Sequence, residues 1–117
     1  MLNVLPAGQR RLSRARYKMI VKVHKRQEKT IVAVCDNDLL GKKFEENDLQ
    51  LDLTSDFYKG EKIDEKEAGD LIRNADIVNL VGEQSVKLGI EEGIVDKDRI
   101  LKIAGIPHAE AVIVHED

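Results

Sequence analysis

Apolar positions along the chain follow two spacings, one of strands and one of helices. Residues 75–81, Ala75-Asp76-Ile77-Val78-Asn79-Leu80-Val81, form an apolar run rich in branched side chains, as a buried strand requires. Gly82 closes that run, and residues 83–92 have the composition of a short helix. Residues 100–103 and 109–114 return to strand character, with Gly105-Ile106-Pro107-His108 read as the loop between them. A right-handed crossover through the helix at Glu83 is expected if the strands of Ile77 and Ile100 are parallel neighbours.

The first half carries the same signals. Residues 20–24 put Val21 and Val23 on one face of a strand and Ile20, Lys22 and His24 on the other. The polar residues 25–29 are of hairpin length. The near-continuous apolar run of residues 30–36 predicts a central strand covered on both faces. Asp38 is placed to cap a short helix over residues 39–46, with Leu40 and Phe44 on one side. Leu49-Gln50-Leu51-Asp52-Leu53 alternates, which predicts a strand with three inward leucines. Asp64 and Glu67 fit a capping box before a helix over residues 65–74, whose stripe is Ala68, Leu71, Ile72 and Ala75.

Strands before and between short helices predict an α+β fold: two layers, a mixed sheet of four or five strands, and a C-terminal strand-helix-strand unit. The length of 117 residues fits one compact domain over residues 19–117, preceded by a basic leader over residues 1–18. The leader contains Arg10, Arg11, Arg14, Arg16 and Lys18 and no acid. Its charge of +5 leaves −8 on the rest of a chain whose net charge is −3. A basic arm on an acidic body fits contact with RNA, DNA or an acidic partner. Set against that is a leader without a partner, or translation that starts at Met19.

Composition narrows the classes further. The 42% hydrophobic share supports an ordinary core, and the four aromatic residues leave it to Val, Ile and Leu. One cysteine, Cys35, cannot form an internal disulfide framework or an all-cysteine zinc knuckle. No apolar run approaches the ~20 residues of a membrane helix, and the leader lacks the apolar segment of a secretory signal. The expected location is the cytoplasm, with no membrane partner and no cofactor.

Several residues carry candidate chemistry. His108 follows Gly105 and Pro107, so a stiff approach holds an imidazole that can carry a proton or make a hydrogen bond; the alternative is a loop histidine without a chemical duty. Asn79 and Gly82 stand at a strand end, where the amides of Glu83 and Gln84 fit an anion. Glu83 opposes that use, and the glycine pattern of a nucleotide loop is missing. His24, Cys35, Asp36 and His108 supply atom types of a metal site or thiol–imidazole pair, but their spacing matches no motif, so no metal site is assigned. Tyr58 and Lys59 could offer a stacking ring and a cation to an unpaired base. The alternative is that Phe57 and Tyr58 seal the edge of the core.

Taken together, Lys22-Val23-His24, Val32-Ala33-Val34-Cys35-Asp36, Leu39-Leu40-Gly41-Lys42, Phe57-Tyr58-Lys59-Gly60, Asn79-Leu80-Val81-Gly82-Glu83 and Gly105-Ile106-Pro107-His108-Ala109 resemble a small archaeal family of uncharacterised proteins. The resemblance covers residues 19–115 and implies a small intracellular α and β protein. It transfers no reaction to His108 or Cys35. The leading expectation is a binding protein associated with RNA or the translation machinery. Its ligand surface would combine Tyr58, Lys59, Asn79, Gly82 and His108, with Arg10, Arg11, Arg14, Arg16 and Lys18 on nucleic acid. The alternatives are a small hydrolase or transferase using His108 with Cys35 or Asp36, and a protein–protein adaptor. Oligomeric state is left open.

Overall fold

The computed structural model describes residues 18–115. The basic residues Arg10, Arg11, Arg14 and Arg16 lie outside the described residues. Lys18 is the first residue of a strand, in register with Asp64.

Among the described residues, eight strands and two α-helices follow one another. The strands are β1 (Lys18–Arg26), β2 (Lys29–Asp36), β3 (Lys43–Glu46), β4 (Leu49–Asp52), β5 (Glu61–Asp64), β6 (Ile77–Val81), β7 (Leu101–Ile103) and β8 (Ile106–Val112). The helices are α1 (Glu65–Arg73) and α2 (Glu83–Glu91). Short 3-10 turns occupy Asn37–Leu39, Asp56–Tyr58 and Lys97–Arg99. Six strands form one mixed sheet in the order β5-β1-β2-β6-β8-β7, and β3-β4 form a separate hairpin. The α+β reading holds, with six strands in the main sheet where four or five were expected.

The halves of the chain meet where β2 pairs in parallel with β6, from Ile31 opposite Ile77 to Cys35 opposite Val81. Every other pairing in the main sheet is antiparallel. Alternation along the strands then sorts the apolar side chains onto two faces. Met19, Val21, Val32, Val34, Val78, Leu80 and Ala109 meet Ala68 and Ile72 of α1 and Val86 and Leu88 of α2. On the opposite face, Ile20, Ala33, Cys35, Val81 and Ile103 meet Leu39, Leu51, Leu53 and Tyr58. Helices therefore cover one face, and the β3-β4 hairpin with two 3-10 turns covers part of the other.

Local chemistry explains the element ends. Asp64 accepts the Glu67 amide at 2.9 Å, so the cap expected for α1 is in place. Arg73, in the last turn of α1, bridges Asp70 and Glu92 and ties α1 to the end of α2.

Two expectations are corrected, and the condition attached to a third is not met. Residues 39–46 do not form a helix, because Gly41 takes a φ of +87° and turns the chain into β3. Leu40 and Phe44 still pack on the second cluster, from opposite sides of that turn. Leu49 is 56% exposed, whereas Leu51 and Leu53 are buried. A two-strand hairpin lying on a sheet buries only the end that reaches it. The strands of Ile77 and Ile100 are not neighbours either, since β8 lies between β6 and β7. The crossover through α2 thus reaches the sheet edge, and the chain folds back between.

The β1-β2 turn has Gln27 at φ 52° and Glu28 at φ 66°, with Arg26 opposite Lys29. Both side chains sit in the left-handed region, which costs L-residues about 1–2 kcal/mol. Replacing them together by Asn and Gly, the pair this turn favours, should raise Tm by about 4–8 °C. Calorimetry of the double variant checks this.

Candidate functional site

The helix N-terminus read as an anion cradle is already filled. Asp36, the last residue of β2, accepts the Gln84 amide at 3.1 Å and both the amide and hydroxyl of Ser85 at 2.8 Å. The chain thereby supplies its own carboxylate to the positive end of α2. Gly82 makes this contact fit. Its φ is +107°, and an added Cβ would stand 2.3 Å from the Asp36 carboxylate carbon. The Gly82 amide donates to the Pro107 carbonyl at 2.9 Å, so β2, β6, α2 and β8 are joined at one junction. Asp36 and Gly82 hold structure there. A depression of about 200 Å³ lies beside them.

Cys35 alternates to the opposite side of the sheet and is completely buried. Burial, with the charges of Asp36 and Asp38, pushes its thiol up to about 12. At neutral pH it is a thiol and not the thiolate a nucleophile needs. His108 shares its face, but Val81 stands between them in the same cross-strand row. Two strand spacings separate Cys35 from His108 by about 10 Å. The sheet does not bring these two residues into a pair, and Asp36 faces the other way. No group of three or more His, Cys, Asp or Glu side chains able to hold a metal occurs among the described residues.

Tyr58 is buried at 7% exposure, so its ring is not a platform for an incoming base. Burial, then Cys35 and Glu110, push its phenol up to about 12. Phe57 meets the Tyr58 ring edge-on at 5.0 Å and stacks on His24 at 4.6 Å. The His24 Nε2 pairs with the Phe57 carbonyl at 3.0 Å, which pins this turn to β1. The pair therefore seals the core edge. Lys59 is exposed beside Asp56, with its Nζ 3.4 Å from the carboxylate.

What remains open is the half of this face that the hairpin does not reach. His108 is in strand β8 and not in a loop, because the turn is made by Ala104 and Gly105 at φ 53° and 81°. Ladder pairing then sets Asn79 opposite Glu110, and His108 opposite both Val81 and Leu101. Asn79, His108 and Glu110 thus form one polar patch, with Leu101 at 64% and Val112 at 73% exposure on its border. A groove of about 470 Å³ runs alongside, lined by Arg99, Leu101, His108 and Glu110 among others. Glu110, Leu101 and Val112 were not singled out from the sequence. The alternation of His108, Glu110 and Val112 was the available signal, once the strand is extended back to Ile106.

The His108 Nδ1 is buried and has no hydrogen-bond partner among the described residues. Burial lowers the pKa of the ring below 6.5, opposed by the Glu110 charge. The patch is therefore a neutral imidazole, an amide and a carboxylate. It can exchange hydrogen bonds with a ligand, and nothing in it is an activated nucleophile.

Residues 23–114 match a family described as Protein of unknown function (DUF424). The chain belongs to this family. A solved structure of similar shape is informative about the fold: the crystal structure of an uncharacterized conserved protein from Methanopyrus kandleri, an archaeon, matches with a TM-score of 0.75 at 24% identity. The match covers 86% of this chain and 95% of that one. No curated protein matches the chain. The archaeal resemblance read from the motifs agrees with these matches, and all of the residues quoted for it except Lys22 lie within residues 23–114. No helix among the described residues is long and apolar enough to cross a membrane.

Three outcomes follow. Asp36→Ala removes the α2 cap and strands the Ser85 hydroxyl, which should cost about 1–3 kcal/mol in urea unfolding. Gly82→Ala, which meets both a positive φ and the carboxylate, should cost more. For His108, the folded pKa lies below the unfolded one, so its neutral form contributes stability above pH 6.5. That contribution is lost as pH falls through the folded pKa. His108→Gln should flatten the decline in Tm between pH 7 and about pH 5, measured by thermal scans across that range.

Proposed function

We propose that this member of the family is a binding protein that works without chemistry. It engages an apolar segment of a protein partner on the uncovered half of its sheet face. The observation that carries this reading is the pairing of exposed Leu101 with half-buried His108 at the border of the hairpin cover. An exposed leucine beside a polar patch is the composition of a contact surface, since apolar contact supplies affinity and the polar groups supply orientation. Asn79 and Glu110 complete the polar part. The lone cysteine, a buried free thiol, supports a place in the cytosol as part of this reading.

RNA is the second reading, and the basic residues Arg10, Arg11, Arg14 and Arg16 support it. Its contact would be through the arm, because the patch on the body carries Glu110 and the Tyr58 ring is buried. Association with the translation machinery is compatible with either mode of contact.

Capture from native lysate separates the two. The full chain, Leu101→Glu, and a chain lacking residues 1–17 serve as baits, each with and without nuclease. Protein capture that survives nuclease and removal of the arm, but falls at least about tenfold with Leu101→Glu, is the expected result; a 1.4 kcal/mol loss is enough for that change. Capture that disappears with nuclease or with the arm, and is indifferent to Leu101, would instead favour RNA. In that case binding should weaken steeply between low and high salt.

A further inference from the structure

The C-terminal strand β8 has one edge that is half used. Its odd-numbered residues bond to β6: the Gly82 amide reaches the Pro107 carbonyl at 2.9 Å, and the Ile113 amide reaches the Asp76 carbonyl at 2.8 Å. Antiparallel pairing alternates, so the even-numbered residues turn their N–H and C=O groups the other way. Ile106 and His108 meet β7 there. Beyond Leu101 the chain leaves β8 through the 3-10 turn Lys97–Arg99 and opens the groove lined by Arg99 and Glu110. Among the described residues, no strand stands opposite Glu110 and Val112 on that side.

This edge differs from the others of the sheet. The open stretch of β1 carries Lys22, Lys25 and Arg26, β5 carries Lys62, and β7 carries Lys102. Lysines at an edge discourage a second chain from pairing. Residues 110–114 are Glu-Ala-Val-Ile-Val, with neither a basic residue nor proline. Val112 is 73% and Val114 is 83% exposed. The segment is also held in place, because the His115 ring nitrogen is 2.9 Å from the Ala75 carbonyl.

We propose that the β8 edge pairs with the β8 edge of a second copy of this chain, antiparallel and centred on Val112. Val112 then faces Val112 of the other copy, and Glu110 faces its Val114, so no like charges are directly opposed. The outward N–H and C=O groups of Glu110 and Val112 gain partners, and the exposed valines are covered. The two sheets become one of twelve strands. The two-fold axis is perpendicular to it, so both His108 patches lie on the same side. This pairing is independent of which ligand the patch takes.

Sedimentation of the full chain up to ~0.5 mM should show a concentration-dependent dimer, as suits a small interface. Val112→Cys should form a disulfide-linked dimer on mild oxidation, because opposed residues of a bonded antiparallel pair have Cα atoms about 5.5 Å apart. Cys35 is buried and does not compete, and Val23→Cys on the β1 edge should stay unlinked. Val112→Pro removes an outward N–H and leaves the bonds to β6, so it should abolish the dimer with an unchanged far-ultraviolet spectrum. If that variant fails to fold, the cysteine pair decides. A chain that stays monomeric, a dimer that Val112→Cys does not link, or linkage through Val23→Cys overturns the proposal.

Discussion

The parallel pairing of β2 with β6 is the constraint on which the rest depends. It joins the first hairpin to the strands of the C-terminal half, and both strands are buried on both faces through much of their length. Parallel strands need a long connection. Here that connection contains the β3-β4 hairpin, β5 and α1. Each of these pieces lands on one side or edge of the pair it joins: α1 under one face, the hairpin over the other, and β5 at the far edge beside β1. The buried thiol Cys35 and the small Ala33 fit this arrangement, since the β2 side chains on the hairpin face must leave room for Leu51, Leu53 and Tyr58.

At the end of that pair, electrostatics takes over from packing. The carboxylate of Asp36 lies at the start of α2, where amides lack helical partners. A carboxylate there satisfies the amides and faces the positive end of the helix dipole. The same geometry explains why a site that reads as an anion cradle has no vacancy for an external anion. Gly82 is required by the approach of Asp36 and by its own φ, not by a phosphate.

The uncovered part of the sheet follows from the size of the hairpin. β3 and β4 have four residues each, and Leu49 already projects into solvent. They cover Ile20, Cys35 and Val81 in one cross-strand row, together with Ile103, and stop short of His108 and Leu101 at the end of that row and of Asn79 and Glu110 in the next. Polar residues on those rows are consistent with a surface that meets water in the isolated chain and a partner when bound.

Periodicity alone determined the strands around Ile20, Val32 and Val78, both helices after Asp64 and Gly82, and the Asp64 cap, because each depends on neighbours within a few residues. It also determined the α+β class. The helix expected at residues 39–46 failed for a local reason, the left-handed Gly41, which a helical reading treats as a small penalty. Other features were decided only by the tertiary structure. Which strands are neighbours placed His108 in a ladder, put Val81 between it and Cys35, and turned Asp36 toward α2. Those outcomes depend on residues from 27 positions apart, Val81 and His108, to 73 apart, Cys35 and His108, and spacing along a sequence carries no record of which distant backbone groups will share a hydrogen bond.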